Sequence, residues 1–216
     1  MQALSAQCYF VVGTDTDVGK TYISAQLIDY FVAQNKLSVG MKPVASGCYL
    51  NADSSIINED ARILSAASNV KVAMDLMNPY RFVPAIAPHI AAEQAGVVID
   101  LNVIHTAFTA LREQVEVVIV EGAGGFLVPL NDRENLADLA VRLNLPIILV
   151  VGMRLGCINH ALLTVEAIKA RGLTLSGWIA NEIVPDMPMF DENLTTLRRH
   201  ILAPCLSVVR WQQASL

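Results

Sequence analysis

The sequence predicts an α/β fold: a single doubly wound, mainly parallel β-sheet flanked by helices. Two observations carry this. Short apolar, β-branched runs alternate along the chain with segments of helix length. Most of those runs are continuously hydrophobic rather than alternating, as expected of strands covered on both faces. The expected strands are CYFVV (8–12), SVGMK (38–42), VEVVIVE (115–121), PIILVV (146–151), LSGWIAN (175–181) and LSVVR (206–210). Helices are expected near 19–34, 60–67, 101–114, 134–143, 158–171 and 190–201. Asp132 or Asn131 is placed to cap the fourth helix, and Gly172 to end the fifth. The stretch 43–100 holds Gly47, Pro79, Pro84, Pro88 and Gly96 with little strand periodicity, and reads as long loops with short helices. No repeat or flexible linker interrupts the sequence, so 1–216 is read as one domain.

Composition narrows the function classes. Hydrophobic residues make up 54% and charged residues 16% of the 216, which describes a globular chain. No apolar run approaches the roughly 20 residues that span a bilayer. The N-terminal MQALSAQCYFVV carries no basic residue ahead of its apolar run, so no secretion signal is expected and the location is read as cytoplasmic. Cys8, Cys48, Cys157 and Cys205 form no C-x-x-C pair and read as reduced thiols. A formal charge of -5 without a basic block argues against a nucleic-acid surface.

The chemistry begins at GTDTDVGKT, residues 13–21. The phosphate-binding loop G-x-x-x-x-G-K-[ST] has four residues between its glycines, and this stretch has five. Its context is that of a phosphate loop, with a strand before it and a helix beginning near Gly19. Backbone N–H groups of such a loop point at phosphate oxygens. Lys20 adds positive charge there, and Thr21 offers a hydroxyl to Mg²⁺. The extra residue implies a wider loop in which Thr16 and Asp17 also face a substrate. Glu121, in VVIVEGAGG (117–125), ends an apolar strand where a metal-directed acid is needed, and its glycines read as the next turn. Asp60, in NEDARIL, is a third candidate ligand, with Glu59 as its rival. On residue type alone, Lys42 reads as a solvated strand-end lysine and Ser46 as a turn residue.

These motifs belong to an ordered set. GTDTDVGKT, KPVASG (42–47), NPYRF (78–82), APHIAA (87–92), VEGAGG (120–125), GCINHA (156–161) and GWIAN (177–181) closely resemble the dethiobiotin synthetase family from about residue 8 to 182. That family carries the phosphate loop longer by one residue. The resemblance implies a phosphate-loop NTPase-like fold and an ATP-dependent, Mg²⁺-requiring cyclo-ligase of biotin biosynthesis. Its substrates would be 7,8-diaminononanoate and CO₂ or bicarbonate, with ATP as co-substrate. An amine of the diamine becomes a carbamate, the carbamate attacks the γ-phosphate, and the second amine closes the ring of dethiobiotin.

The resemblance also distributes roles. Lys42 and Lys20 are catalytic, and Thr21, Asp60 and Glu121 are metal ligands, which promotes Asp60 over Glu59. Thr16, Asp17 and Ser46 hold the diamine or its carbamate; the family commonly has Glu at the position of Asp17. Gly156, Cys157, Ile158 and Asn159 start a helix that takes the substrate carboxylate across the interface of a symmetric homodimer. The nucleotide falls to Asp17, Val18, Gly19, Lys20, Thr21 and Tyr22, to Asp60, and to Glu121, Gly122, Ala123 and Gly124. Asn181 and Glu182 are expected at the adenine, with Val209, Arg210 and Trp211 nearby; Arg210 stands where the family often has proline. The competing function is a phosphate-loop ATPase switch of the partitioning or metal-delivery type. Such switches carry a lysine five residues before the loop lysine, where this chain has Asp15. A corrinoid-amidating relative would need a glutamine-hydrolysing domain, for which 216 residues leave no room.

Overall fold

A computed structural model describes residues 4, 7–52 and 54–211. Of the N-terminal stretch MQALSAQCYFVV, residues 1–3, 5 and 6 lie outside this description. In chain order the elements are β1 (Cys8–Gly13), α1 (Lys20–Val32), β2 (Ser38–Met41), β3 (Val44–Ser46), β4 (Tyr49–Leu50), β5 (Ile56–Ile57), α2 (Glu59–Ala67), α3 (Met74–Met77), β6 (Tyr80–Phe82), α4 (Pro88–Gln94), α5 (Leu101–Arg112), β7 (Val117–Gly125), α6 (Leu136–Leu143), β8 (Ile147–Met153), α7 (Cys157–Ala170), β9 (Leu175–Glu182), α8 (Phe190–His200) and β10 (Cys205–Val209).

Six strands form one parallel sheet in the order β10-β9-β8-β1-β7-β2. The expected doubly wound sheet is borne out, and its two-faced burial explains the unbroken hydrophobic runs. Successive strand residues point to opposite faces. In β1, Tyr9 and Val11 pack with Ile23, Leu27, Ile28 and Phe31 of α1 and Leu64 of α2. Cys8, Phe10 and Val12 face the opposite layer, with Ile104 and Leu111 of α5, Leu139 of α6 and Ile168 of α7. Each fully buried large aliphatic side chain contributes about 1.5–3 kcal/mol, so the two layers clamp β1 firmly beneath the loop it feeds. β1 lies between β7 and β8, where the winding reverses, and such a switch point opens a crevice beyond the strand ends.

β2 is an edge strand, and its free backbone is occupied locally. The N–H of Ser38 donates to Asn69 Oδ1 at 2.8 Å and that of Gly40 to Ser68 Oγ at 3.1 Å, both from the end of α2. Gly40 also sets the height of α2. A Cβ there would lie 2.7 Å from Leu64 Cβ, so only glycine admits the helix this close.

Three expectations need correction. Residues 43–100 are more ordered than loops with short helices: β3 pairs in parallel with β6, and β4 pairs antiparallel with β5. Strands of two or three residues are too short to show periodicity in sequence. The glycines after Glu121 are not a turn; β7 continues to Gly125, which pairs with Gly13 of β1. The fourth helix is capped by neither Asp132 nor Asn131. Asn135 caps it in a reciprocal box with Asp138, while Asn131 Oδ1 accepts the N–H groups of Arg133 and Glu134 in the preceding turn. Gly172 does end the fifth helix, at φ 68°, with its N–H on Lys169 and that of Leu173 on Ile168.

Candidate active site

The crevice at the switch point is a cleft of about 860 Å³. Its floor is the loop that leaves β1. Thr14 N–H donates to Val150 O of β8 at 3.0 Å, anchoring the loop to the sheet. The backbone then passes through positive φ at Asp17 (56°) and Gly19 (87°). A Cβ on Gly19 would sit 2.2 Å from Asn181 Nδ2, so the position demands glycine for both space and conformation. α1 starts at Lys20 with no side-chain cap, which leaves its first N–H groups for an anion.

Lys20 is 7% exposed, and its Nζ donates to Asp15 O at 2.8 Å. Burial, reinforced by the charge of Lys42, lowers its pKa to about 8. Lys42 follows β2 directly and is buried. Its Nζ lies 2.6 Å from Glu121 Oε1, 2.9 Å from Asp60 Oδ2 and 3.2 Å from Gly122 O. Burial disfavours the ammonium, but the Glu121 and Asp60 carboxylates outweigh it and hold the Lys42 pKa above its ordinary value. Burial likewise pushes Asp60 up, and the Lys42 cation overrides it, leaving that carboxyl below its usual range.

Glu121 is fully buried within β7. Thr21 Oγ1 donates to its Oε1 at 2.9 Å, while its Oε2 is buried without a hydrogen-bond partner among the described residues. Thr21, Asp60 and Glu121 thus present a hydroxyl and two carboxylates, all hard oxygen donors, converging with one buried acceptor to spare. This suits Mg²⁺, which is held by one or two carboxylates and completes its shell with water and phosphate. Among the described residues no group of three or more His, Cys, Asp or Glu side chains could hold a metal by itself. The neighbour Glu59 turns outward to Arg62.

Of the residues singled out in sequence, Thr16, Asp17, Gly19, Lys20, Thr21, Lys42, Ser46, Asp60, Glu121, Ala123 and Gly124 line this one cleft. Ser46 Oγ is buried there with no partner among the described residues. Gly122 contributes its carbonyl to Lys42, and Val18 is buried below the loop. Tyr22 is exposed and off the lining. Ala85, Ile86, Ala87 and Pro88 form a wall of the cleft that had no role assigned; the signal was the APHIAA motif.

Two groups lie apart. Asn181 and Glu182 end β9, across β1 from Lys42. Asn181 Nδ2 donates to Val18 O at 2.9 Å. Glu182 accepts the N–H of Met187 at 3.3 Å and that of Trp211 at 3.0 Å. Arg210, just past Val209 at the end of β10, pairs with Asp191 at 2.6 Å and covers the Phe190 ring at 3.7 Å. Gly156 (φ 93°), Cys157, Ile158 and Asn159 form the uncapped start of α7, outside the cleft. Cys157 is buried.

Comparison with known proteins bears directly on this arrangement. A family model described as an AAA domain matches residues 7–215. The ATP-dependent dethiobiotin synthetase BioD of Aromatoleum aromaticum is 56% identical over 203 residues, covering 94% of this chain and 90% of that protein. Its counterpart from Nitrosospira multiformis is 51% identical over 205 residues, covering 95% and 88%. The chain belongs to the ATP-dependent dethiobiotin synthetase family. The family resemblance carried by the ordered motifs is therefore borne out. Solved structures extend the likeness at the level of fold. The MinC:MinD cell division complex of Aquifex aeolicus matches with a TM-score of 0.59 at 14% identity, over 96% of this chain and 82% of that one. A ParA family ATPase from Chlorobium tepidum gives 0.58 at 13%, over 97% and 86%. At such identity these neighbours speak for the phosphate-loop sheet alone, so the dethiobiotin synthetase family, and not the ATPase switch, is the one the sequence supports.

Proposed function

We propose that this chain, acting as one phosphate-loop domain, closes the ureido ring of dethiobiotin from 7,8-diaminononanoate and CO₂ at the expense of ATP. The observation that carries this reading is the 56% identity to a dethiobiotin synthetase across nearly the whole chain. The cleft gives it a physical basis. A carbamate and a triphosphate are both anions, so their reaction needs cations placed before it begins. Lys20 and Lys42 are both buried against this cleft. Lys20 and the free N–H groups of α1 would bind the phosphates. Lys42 would stabilise the carbamate and the phosphoryl group in transfer, with Ser46, Thr16 and Asp17 orienting the diamine. Thr21, Asp60 and Glu121 would hold Mg²⁺, which when bound offsets phosphate charge. Ring closure then joins groups of one molecule, where orientation accounts for much of the rate.

The base would lie near Asn181, whose Oδ1 remains available, and near the segment 209–211. Glu182 supports that segment through Trp211 rather than offering a free carboxylate. The start of α7 would take the substrate carboxylate of a partner active site in a symmetric homodimer. Leu163 of α7 (62% exposed) and Leu127 (54%) line one surface groove, and Leu155 (97%) precedes α7; these exposed apolar side chains support such an assembly. Among the described residues no helix is long and apolar enough to cross a membrane, and we place the enzyme in the cytoplasm.

The test is phosphate release from MgATP with and without diaminononanoate and bicarbonate, alongside mass detection of dethiobiotin. Substrate-dependent phosphate release with equimolar dethiobiotin is expected. Steady hydrolysis indifferent to the diamine, with no cyclic urea, would replace this reading with the ATPase switch.

A further inference from the structure

We propose that Arg154 and Asp15 form a positioning clamp that fixes the phosphate loop and joins it to the start of α7. Arg154 is the first residue after β8. Its guanidinium reaches Asp15 Oδ2 at 2.5 Å, while its own carbonyl accepts the N–H of Cys157, the first residue of α7, at 3.0 Å. Asp15 is engaged at all three of its oxygens. Beyond the Arg154 contact, Oδ1 accepts the N–H of Thr16 at 2.8 Å, and its main-chain carbonyl accepts Lys20 Nζ at 2.8 Å. The acceptor that holds the loop lysine and the turn that presents Thr16 to the cleft are therefore set by one residue, and that residue is set by Arg154. Thr14 completes the tie, because Gly152 N–H donates to its Oγ1 at 3.3 Å.

Here Asp15 and Arg154 are about 45% and 39% exposed, so water screens their charges and the pair adds little to global stability. Its consequence is local. Without the guanidinium, the Asp15 carboxylate is free to leave its rotamer, the Thr16 N–H loses its acceptor, and the carbonyl facing Lys20 drifts.

The inference rests on the reading of 13–21 as the phosphate loop. Four variants test it: Arg154→Gln, Arg154→Lys, Asp15→Asn and the double Asp15→Asn/Arg154→Gln. MgADP affinity is measured by calorimetry and dethiobiotin formation by steady-state kinetics. Each of the Gln and Asn single variants is expected to weaken MgADP about tenfold, the scale of one charge-assisted hydrogen bond, and to raise KM for ATP. The double variant should lose no more than either single one, since both remove the same contact. Arg154→Lys should recover most of the affinity. Thermal midpoints should stay within about 3 °C of the parent. Unchanged MgADP affinity in Arg154→Gln, or losses that multiply in the double variant, would overturn the clamp. A parent chain that binds MgADP but makes no dethiobiotin would overturn the proposed reaction and leave the clamp to be judged on affinity alone. A parent that binds no MgADP would overturn both.

Discussion

Lys42 Nζ lies 2.6 Å from Glu121 Oε1, and both side chains are withdrawn from water. The contact joins the end of an edge strand to the interior of a central one. It brings the cation proposed for the reaction onto a carboxylate proposed for the metal. With Asp60 2.9 Å from the same ammonium, the three groups are electrostatically one unit.

Lys42→Ala should therefore act on stability as well as turnover. Removing one partner of a buried ion pair leaves an uncompensated charge, at roughly 3–5 kcal/mol. Glu121 would be that charge. We expect a clear fall in thermal midpoint, partly restored by millimolar Mg²⁺, which can take over the two carboxylates. Turnover should drop by about 10²–10³, the scale seen when a transition-state donor is removed, with MgATP still bound. Calorimetry and phosphate release on one preparation check both halves. A variant with full turnover removes Lys42 from the mechanism.

Lys20→Ala should separate from Lys42→Ala in kind. Among the described residues, the hydrogen bond of Lys20 Nζ is to Asp15 O of its own loop. Its loss should weaken nucleotide binding at least about tenfold along with the rate. Its effect on the thermal midpoint should be small, because truncation leaves no buried carboxylate behind. Equal MgATP affinity in the parent and the variant would contradict its placement at the phosphates.

How much of this was written in the sequence depends on distance along the chain. Gly19, Lys20 and Thr21 are contiguous, and Glu121 follows four apolar residues, so local pattern sufficed. Asp60 against Glu59 could not be decided locally. Both lie in the first turn of α2, capped by Asn58, and only the packing of α2 on Gly40 turns Asp60 toward Lys42. The Asn135 cap was legible, because Asp138 stands three residues on in the capping-box spacing. The pairing of β3 with β6 was not legible, since it joins residues 36 positions apart through strands of three residues. Arg154 was invisible for the same reason, as its partner lies 139 residues away.

Glu116 offers a pH test remote from the cleft. Its carboxylate accepts from Lys36 Nζ at 2.8 Å and from Leu37 N–H at 3.1 Å, at the entry to β2. Hydrogen bonding to Lys36, then to Leu37, holds its pKa below the ordinary value. A depressed carboxylate pKa stabilises the fold above the unfolded pKa, and the contribution is lost as pH falls through the folded one. Glu116→Gln should thus lower the thermal midpoint at pH 7, by no more than about 3 °C for an exposed pair. The two proteins should converge in acid, below the folded pKa of Glu116. A constant difference across pH would mean the carboxylate charge is not what matters there.

Gly19→Ala tests the geometry of the loop itself. Two penalties meet at this position. The backbone φ of 87° is unfavourable for any residue with a Cβ, and that Cβ would meet Asn181 Nδ2 at 2.2 Å. Asn181 would have to leave Val18 O, its 2.9 Å acceptor. The loop and the end of β9 should therefore loosen together. We expect MgADP affinity to fall by at least about tenfold, the effect of losing the aligned N–H groups at the helix start. The double variant Gly19→Ala/Asn181→Ala removes the clash but not the φ strain. Because Asn181 is itself proposed at the base, the loss is read against Asn181→Ala alone: if the clash dominates, adding Gly19→Ala to that variant costs little MgADP affinity. If the backbone conformation dominates, it costs as much as in the parent, and the glycine is required for its left-handed torsion.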